Sequence, residues 1–293
     1  YFCATNFVEM IICKTRDEIS AAVAELRRQN KTVGFVPTMG ALHNGHLSLV
    51  KKSMSENDCT AVSIFVNPTQ FNNKHDLQTY PRTVDADVKL LEETGADIAF
   101  VPSVETMYPE GLDNVTESYD FGFIGQVMEG AARPGHFNGV GIVVHRLFDL
   151  VKPDRAYFGM KDFQQIAIIR EMVRQCNINI EIIPCPIVRE DDGLALSSRN
   201  TRLNEEQRRQ AVQISQTLFK AVGLVGEKSV AEVKEFVVST VNSVPLLDVE
   251  YFEIVDGYSL QTISSWNEAE WVVGCITVNV GDVRLIDNIT LKK

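Results

Sequence analysis

The chain has 293 residues, of which 45% are apolar, and a formal net charge of −11 at pH 7. This length can bury one large core or two smaller ones, and no run of about 18 apolar residues predicts a membrane-spanning helix. The acidic balance argues against a nucleic-acid-binding surface, because contacts to phosphates require a basic face. A small anionic substrate stays compatible with it, since a local cluster of basic side chains and helix N-termini can oppose the overall charge.

Six cysteines are scattered along the chain without a CxxC pair or a repeated spacing. Reduced, buried thiols are therefore expected in preference to a disulfide framework or a zinc site. With no recognisable secretory signal, the protein is expected to be cytoplasmic. Residues 1–10 do not fit the periodic pattern that begins near Ile11, and no fold is predicted for them.

An amphipathic helix is predicted first, over residues 15–30, with Thr15 and Glu18 forming a capping box. Buried strands and helices then alternate up to residue 188. The predicted strands cover residues 32–36, 59–67, 97–102, 155–160 and 180–188, and the predicted helices cover residues 45–56, 84–95, 139–151 and 162–176. This alternation is typical of an α/β domain with a Rossmann-like, doubly wound parallel sheet, which we place at residues 11–188.

Beyond residue 188 the pattern changes. Helices predicted near residues 204–222 and 229–242 precede alternating segments at residues 247–256 and 270–288. Such alternation is typical of an antiparallel sheet with one solvated face. Residues 189–293 are therefore predicted to form a smaller C-terminal α+β domain.

The stretch PTMGALHNGH, residues 37–46, places His43 and His46 three residues apart at a strand-to-helix turn. Open α/β sheets bind ligands at such turns, and the N-terminus of the helix favours a phosphate. Gly45 adds no side chain that would exclude a ligand, so two imidazoles here could hydrogen-bond a phosphoryl group as its charge redistributes. The residues themselves leave two alternatives open, a zinc site with His136 as third ligand and histidines that serve only the turn.

Five further stretches contain candidate site residues: FVNPTQF (65–71), YPRT (80–83), EGAARPGHFNGV (129–140), YFGMKDFQQ (157–165) and VREDDGLALSSRN (188–200). In the first, Pro68 forces the chain out of the sheet and presents Asn67 and Gln70 at the end of a strand. In the fourth, Lys161 is a point charge able to reach phosphate oxygens. Loop hydrogen bonding and a solvated helix N-terminus are the structural alternatives for these residues.

The last of these stretches offers Ser197, Ser198 and Arg199, two hydroxyls and a guanidinium that together form a phosphate-binding set. A helix N-cap with a surface arginine is the alternative. Asp85 and Asp87 lie in the first turn of the helix predicted at residues 84–95, where capping is the simplest role for a carboxylate.

HNGH resembles the HxGH signature of the nucleotidylyltransferase superfamily, which is related to class I aminoacyl-tRNA synthetases. The longer PTMGALHNGHLSLV, followed by the five stretches above in the same order, resembles the pantoate–β-alanine ligase family. The resemblance covers the first 200 residues, and the C-terminal third adds little to it beyond RLIDN, residues 284–288.

The resemblance implies an ATP-dependent ligase that condenses (R)-pantoate with β-alanine through a pantoyl-adenylate intermediate, releasing AMP and pyrophosphate. It further implies Mg²⁺ carried by ATP and a homodimer, whereas the absence of a nucleic-acid or membrane partner is expected from the acidic charge and the lack of a long apolar run. A nucleotidylyltransferase that keeps the nucleotide in its product is the first alternative, which FVNPTQF and GMKDFQQ disfavour. A non-catalytic nucleotide-binding or tRNA-associated module is the second, which the acidic charge disfavours.

The resemblance also implies roles for single residues. His43, His46 and Lys161 would stabilise the charge that develops during nucleotidyl transfer. The residues implied to contact ATP are Met39, Gly40, Ala41, Leu42, His43, Asn44, Gly45, His46, Gly159, Met160, Lys161, Asp162, Val188, Leu196, Ser197, Ser198 and Arg199.

The other implied roles concern the acceptor substrate and the metal ion. Gln70 and Gln165 would bind pantoate, with Asn67 beside them as a further substrate-binding residue. Asp87 would lie near the Mg²⁺ ion, although this chain has Ala86 where some family members have a second aspartate.

Overall fold

The structure is a computed structural model that describes residues 9–293. Of the N-terminal stretch for which no fold was predicted, residues 1–8 lie outside the described residues. The strands are β1 (Ile11–Cys13), β2 (Val33–Thr38), β3 (Cys59–Ile64), β4 (Ile98–Phe100), β5 (Arg155–Gly159), β6 (Glu181–Cys185), β7 (Leu247–Asp256), β8 (Val272–Val280) and β9 (Val283–Lys292). The helices are α1 (Arg16–Arg28), α2 (Asn44–Glu56), α3 (Lys74–Thr79), α4 (Val84–Thr94), α5 (Val104–Met107), α6 (Glu129–Ala132), α7 (His136–Val151), α8 (Phe163–Gln175), α9 (Glu205–Val222) and α10 (Val230–Asn242).

Strands β1 to β6 form one parallel sheet in the order β1-β4-β3-β2-β5-β6. The order reverses at β2, whose neighbours are β3 on one side and β5 on the other. Such a reversal opens a crevice at the carboxyl ends of the strands, where open α/β sheets bind their ligands. The predicted parallel α/β sheet is confirmed. The reversal indicates that a ligand site lies at the carboxyl ends of β2 and β5.

The centre of this sheet is apolar on both faces, as expected when helices cover a parallel sheet. Every residue of β3 is buried, and in β2 only Pro37 is partly exposed. Val36 and Val62 from these strands pack with Leu49 and Val50 of α2 and with Leu91 of α4. This packing fixes the start of α2 against the end of β2.

The helix ends follow from local sequence. Thr15 caps α1, and the Glu18 carboxylate accepts a hydrogen bond from the Thr15 backbone N–H at 2.9 Å, so the predicted capping box is confirmed. Helix α4 ends at Gly95, which has a φ of 93° and adopts the left-handed conformation that glycine takes without strain.

Several predicted boundaries were wrong, each for a local reason. Strand β3 ends at Ile64 rather than at residue 67, because Asn67 caps a 3-10 turn at Pro68–Gln70. Strand β6 ends at Cys185 because Pro186 has no N–H to continue the ladder. Helix α7 begins at His136, three residues before the predicted start, and the stretch between residues 67 and 84, where no helix or strand was predicted, contains the short helix α3.

Strands β7, β8 and β9 form a separate antiparallel sheet, which confirms the predicted C-terminal α+β architecture. Its core combines Val278 and Val283 of the sheet with Leu218 of α9 and Val237 of α10. Hydrophobic side chains of this cluster account for the apolar alternation seen in the sequence.

By its internal packing the chain divides into two units. The first contains residues 9–120 together with Gly135–Phe158 and Ile169–Cys185, and the second contains Phe121–Pro134, Gly159–Ile168 and Pro186–Lys293. Residues 121–134 and 159–168, predicted within the first domain, thus group with the C-terminal unit. None of the helices within residues 9–293 is long and apolar enough to cross a membrane.

Candidate active site

His43 and His46 together close the N-terminus of α2. His43 is the N-cap, and its Nδ1 accepts a hydrogen bond from the Gly45 N–H at 3.1 Å. His46 is the third residue of the helix, and its Nδ1 accepts from the His43 N–H at 3.3 Å. The two histidines therefore form a capping box, a role that is usually filled by a hydroxyl and a carboxylate.

The capping box also fixes the orientation and tautomer of both rings. The ring centroids are 4.0 Å apart and the ring planes are inclined by 32°. A neutral imidazole that accepts a hydrogen bond at Nδ1 carries its proton at Nε2, so each ring has an Nε2–H donor. The structure thus brings two ring donors together at a helix N-terminus that follows the central strand β2, as the sequence predicted.

Asp87 supports the loop between β2 and α2 through hydrogen bonds. The Asp87 Oδ1 accepts from the Leu42 N–H at 2.7 Å and from the Thr83 hydroxyl at 3.0 Å. Its Oδ2 lies against Gly40, where an added Cβ would come within 2.5 Å of that oxygen. Gly40 has a φ of 67°, so this position requires glycine both for its conformation and for its closeness to the carboxyl group.

A second residue of the YPRT segment reaches the same loop. The Tyr80 hydroxyl donates to the Gly40 carbonyl at 2.8 Å, and its ring makes an edge contact with Phe71. Sequence reasoning missed Tyr80, although YPRT was among the quoted stretches.

The Asp87 carboxyl group has a shifted pKa. Burial raises the pKa of Asp87, and the hydrogen bonds from Leu42 and Thr83 oppose that rise.

Asn67 and Gln70 lie together at the end of β3, and Asn67 orients Gln70. Asn67 is only 1% exposed, and its Nδ2 donates to the Gln70 Oε1 at 3.2 Å and to the Gly139 carbonyl at 3.2 Å. Its Oδ1 accepts from the Tyr108 hydroxyl at 2.7 Å. The Gln70 Nε2 in turn donates to the Met39 sulfur at 3.0 Å, which ties this turn to the loop that carries His43.

His136 supports the same turn from α7. Its Nδ1 donates to the Gln70 carbonyl at 2.8 Å, and the side chain is buried. No group of three or more His, Cys, Asp and Glu residues within residues 9–293 is placed to hold a metal ion. The zinc arrangement considered from the sequence, with His136 as third ligand, therefore has no support in the described part of the chain.

The second unit holds the remaining predicted residues. Met160, Lys161 and Asp162 form a 3-10 turn directly after β5, with Gly159 at its N-cap and α8 following. Lys161 and Gln165 are half-buried, whereas Asp162 is exposed. The Asn288 side chain donates to the Met160 and Lys161 carbonyls at 2.8 and 2.9 Å, which fixes the backbone of this turn.

The serine-containing segment forms a second structured turn. Ser197 is the N-cap of a 3-10 helix at Ser198–Arg202, and its Oγ accepts from the Arg199 N–H at 3.3 Å. The Leu196 N–H donates to the Val188 carbonyl at 3.0 Å, which closes the hairpin that precedes it. The N-cap considered for Ser197 is therefore present, and Ser198 is buried beside it.

Sequence reasoning missed a buried carboxylate at the start of the EGAARPGHFNGV segment. The Glu129 carboxylate accepts from both terminal nitrogens of Arg284 at 2.7 and 2.8 Å, from the Tyr251 hydroxyl at 2.8 Å and from the Thr277 hydroxyl at 3.0 Å. Arg133 lies 3.6 Å from it. Burial raises the pKa of Glu129, but the hydrogen bonds and charge of Arg284 outweigh burial and bring it down to about 2.

Gln164, the neighbour of the predicted Gln165, fixes the same segment. Its Nε2 donates to the Ile124 and Val127 carbonyls at 2.8 Å each, and its Oε1 accepts from the Glu129 N–H at 3.0 Å. The two consecutive glutamines in GMKDFQQ were the only sequence signal for a glutamine with a structural role. The sequence did not show which of the two side chains is hydrogen-bonded within the fold.

Comparisons with known proteins identify the family of the chain. The family model described as pantoate–beta-alanine ligase matches residues 11–290. The chain belongs to this family. A pantothenate synthetase from Bacteroides fragilis is 58% identical over 97% of this chain and all of its own length, and one from Thermosipho africanus is 46% identical over 96% of this chain and all of its own. As the ligase family implies, the chain is an enzyme of the ligase class.

Two solved structures extend the likeness to three dimensions. A pantothenate synthetase from Thermus thermophilus has a TM-score of 0.91 and 42% identity, covering 97% of this chain and all of the other. A pantoate–beta-alanine ligase from Francisella tularensis, complexed with beta-gamma ATP and beta-alanine, has a TM-score of 0.81 and 37% identity, covering 96% of this chain and 98% of the other. These matches confirm the resemblance drawn from the motifs.

Replacing Glu129 by glutamine is expected to make stability less dependent on pH. A carboxyl group whose pKa falls from 4.5 to about 2 on folding contributes about 3 kcal/mol above pH 4.5, and this contribution is lost as the pH falls towards 2. Urea unfolding of the wild type and Glu129→Gln should therefore differ most at pH 7 and converge below about pH 4.5. Glu227→Gln, at an exposed glutamate of the same unit, should match the wild type throughout. A wild-type advantage over Glu129→Gln that stays constant down to pH 3 would contradict the low pKa.

Proposed function

We propose that the enzyme condenses (R)-pantoate with β-alanine at the expense of ATP, through a pantoyl-adenylate intermediate, with release of AMP and pyrophosphate. Membership of the pantoate–beta-alanine ligase family and the Francisella relative complexed with an ATP compound and beta-alanine support these substrates. The observation that carries the chemical proposal is the pair of imidazoles at the N-terminus of α2, whose ring centroids are 4.0 Å apart and whose Nδ1 atoms both accept a backbone N–H. In a neutral ring this leaves the proton on Nε2.

In the first step, the ionised carboxylate of pantoate attacks the α-phosphorus of ATP, and the bond to pyrophosphate breaks. Pantoate itself is the nucleophile, so the reaction needs no activated serine or cysteine. His43, His46 and Lys161 stabilise the negative charge on the phosphoryl oxygens as pyrophosphate leaves. In the second step, the amine of β-alanine attacks the acyl carbon of the adenylate, the bond to AMP breaks, and the nitrogen of the new amide loses a proton.

The remaining predicted residues keep their roles within this proposal. Residues 39–46, 159–162 and 196–199 contact ATP together with Val188. Gln70 and Gln165 bind pantoate, and Asn67 acts on the substrate by orienting the Gln70 carboxamide, to which it is hydrogen-bonded. The homodimer that the resemblance implies and the cytoplasmic location expected from the sequence stay predictions.

Asp87, predicted to lie near Mg²⁺, also supports the loop before α2. It is 3% exposed, its Oδ1 accepts two hydrogen bonds, and its buried Oδ2 lies against Gly40 without a hydrogen-bond partner among residues 9–293. Mg²⁺ usually keeps several waters and the phosphates of its nucleotide as ligands. We therefore propose Mg²⁺ as a part of the MgATP substrate, with the Asp87 carboxylate near it.

The two-step scheme predicts that labelled pyrophosphate exchanges into ATP when pantoate is present and β-alanine is absent. The adenylate forms before the amine is used, so the first step can run backwards on its own. The measurement is radioactivity in ATP after incubation with each substrate combination. An exchange that strictly requires β-alanine, or the appearance of ADP in place of AMP, would show that the scheme is wrong.

The capping role of the histidines allows their chemistry to be separated from their contribution to stability. His43→Asn and His46→Gln keep a side-chain acceptor for the capping box but lose the ring donor. Both should slow pantoate-dependent pyrophosphate exchange by roughly 10²–10³, the effect of removing one preorganised donor, and leave the unfolding free energy nearly unchanged.

The matched variants His43→Ala and His46→Ala should show the same decrease in the exchange rate. They should also lose about 1 kcal/mol of unfolding free energy, because the cap is missing. Chemical denaturation and exchange kinetics on all four variants provide the comparison. If His43→Asn and His46→Gln kept wild-type rates, the rings would serve only to cap the helix.

A further inference from the structure

The segment RLIDN, residues 284–288 of β9, contacts three of the five stretches that carry the family resemblance. Arg284 binds Glu129 of the EGAARPGHFNGV segment through two hydrogen bonds. Asp287 binds Arg189 of the VREDDGLALSSRN segment through two more, at 2.7 and 2.9 Å. Asn288 binds the Met160 and Lys161 carbonyls of the YFGMKDFQQ segment.

The contacts of Asp287 and Asn288 are buried and connected to one another. Asp287 and Asn288 are 5% and 4% exposed, and the Asn288 N–H donates to the Asp287 Oδ1 at 2.7 Å. Arg189 also donates to the Asn288 carbonyl at 3.2 Å and to the Gly193 carbonyl at 3.1 Å. Burial raises the pKa of Asp287, and the Arg189 guanidinium opposes this rise. Asp287, Asn288 and Arg189 therefore form a continuous polar network in which the loss of one member leaves buried groups unpaired.

The position of Asn288 has a specific consequence for Lys161. Both hydrogen atoms of its carboxamide nitrogen are used on consecutive carbonyls, so the peptide plane that precedes Asp162 cannot rotate without breaking a bond. The Cα of Lys161 lies between these two carbonyls, and its side chain leaves the backbone in a direction set by them. A shift of about 1 Å in a group that stabilises a transition state can cost roughly 10²-fold in rate.

We propose that Asn288 is a positioning residue for Lys161. In this proposal RLIDN is the anchor that contacts the Lys161 turn and, in addition, the segments that contain Glu129 and Arg189. This inference rests on the proposed function of Lys161 in stabilising the leaving pyrophosphate. Asn288 does not touch substrate; it acts on the reaction through the backbone of residues 160–162.

The test is a double-mutant cycle between Asn288→Asp and Lys161→Ala, measured by pantoate-dependent pyrophosphate exchange at saturating pantoate and varied ATP. Asn288→Asp keeps the size of the side chain but directs an oxygen, in place of the two donors, at the Met160 and Lys161 carbonyls. We expect it to lower kcat by roughly 10²-fold in the wild-type background and by less than threefold in the Lys161→Ala background, because groups that act as one unit are not additive. Asn288→Ala, which removes the donors without adding repulsion, should lose less activity than Asn288→Asp.

A matched control separates positioning from general destabilisation. Val278→Ala makes a cavity in the core of the same sheet, away from the 160–162 turn, and should keep the wild-type kcat below its melting temperature even where that temperature has fallen as far as that of Asn288→Asp. If Asn288→Asp fails to fold, Asn288→Ser, which keeps one donor, enters the same cycle.

The proposal is overturned if Asn288→Asp has a near-wild-type kcat, or if its loss is equally large in both backgrounds. A wild-type rate in Lys161→Ala alone would instead refute the proposed role of Lys161. A failure of the anchor and a failure of the underlying function therefore give different results.

Discussion

Helix α2 is capped by two imidazoles, whereas most helices are capped by a hydroxyl, a carboxylate or a carboxamide. The candidate site depends on this imidazole cap. The capping hydrogen bonds consume the Nδ1 atoms and set both rings in a stack, so the donor atoms of the pair are the two Nε2–H groups. Capping and transition-state stabilisation are thus performed by opposite edges of the same rings. The chemistry at one edge is preorganised because the other edge is part of the helix.

The same division of roles recurs between neighbouring residues. Asn67 is saturated by internal hydrogen bonds and orients Gln70, while Gln164 is saturated by the segment around Glu129 and precedes Gln165. In each pair, the first amide makes its hydrogen bonds within the fold, and the second, buried at Gln70 and half-buried at Gln165, is the residue implied to bind substrate. Buried amides with every hydrogen bond made rigidify their surroundings, which suits loops that must hold reacting groups in place.

Local sequence signals were sufficient for the longer regular elements. The capping box at Thr15 and Glu18, the buried runs of β2 and β3 and the alternation of β7 to β9 depend on residues close together in the chain, and the parallel and antiparallel sheets they predicted are confirmed. The three-residue strand β1 was missed because it is too short to show a period.

The supports of the candidate site could not be predicted in the same way. Glu129 and Arg284 are 155 positions apart, and Asn288 lies 127 positions from Lys161, so no spacing in the sequence relates them. The motifs contained these residues, but their partners are set by tertiary packing alone. For the same reason, the sequence offered no sign that residues 121–134 and 159–168 pack with the C-terminal unit.

The most direct test of the account is the protonation site of the two stacked rings. Nitrogen-15 chemical shifts and one-bond couplings of uniformly labelled protein, assigned with His43→Asn and His46→Gln, report which ring nitrogen carries the proton. The account predicts that His43 and His46 are both Nε2–H tautomers at neutral pH, with Nδ1 unprotonated and hydrogen-bonded to the backbone. A protonated Nδ1 on either neutral ring would contradict the imidazole capping box and the arrangement of donors that follows from it.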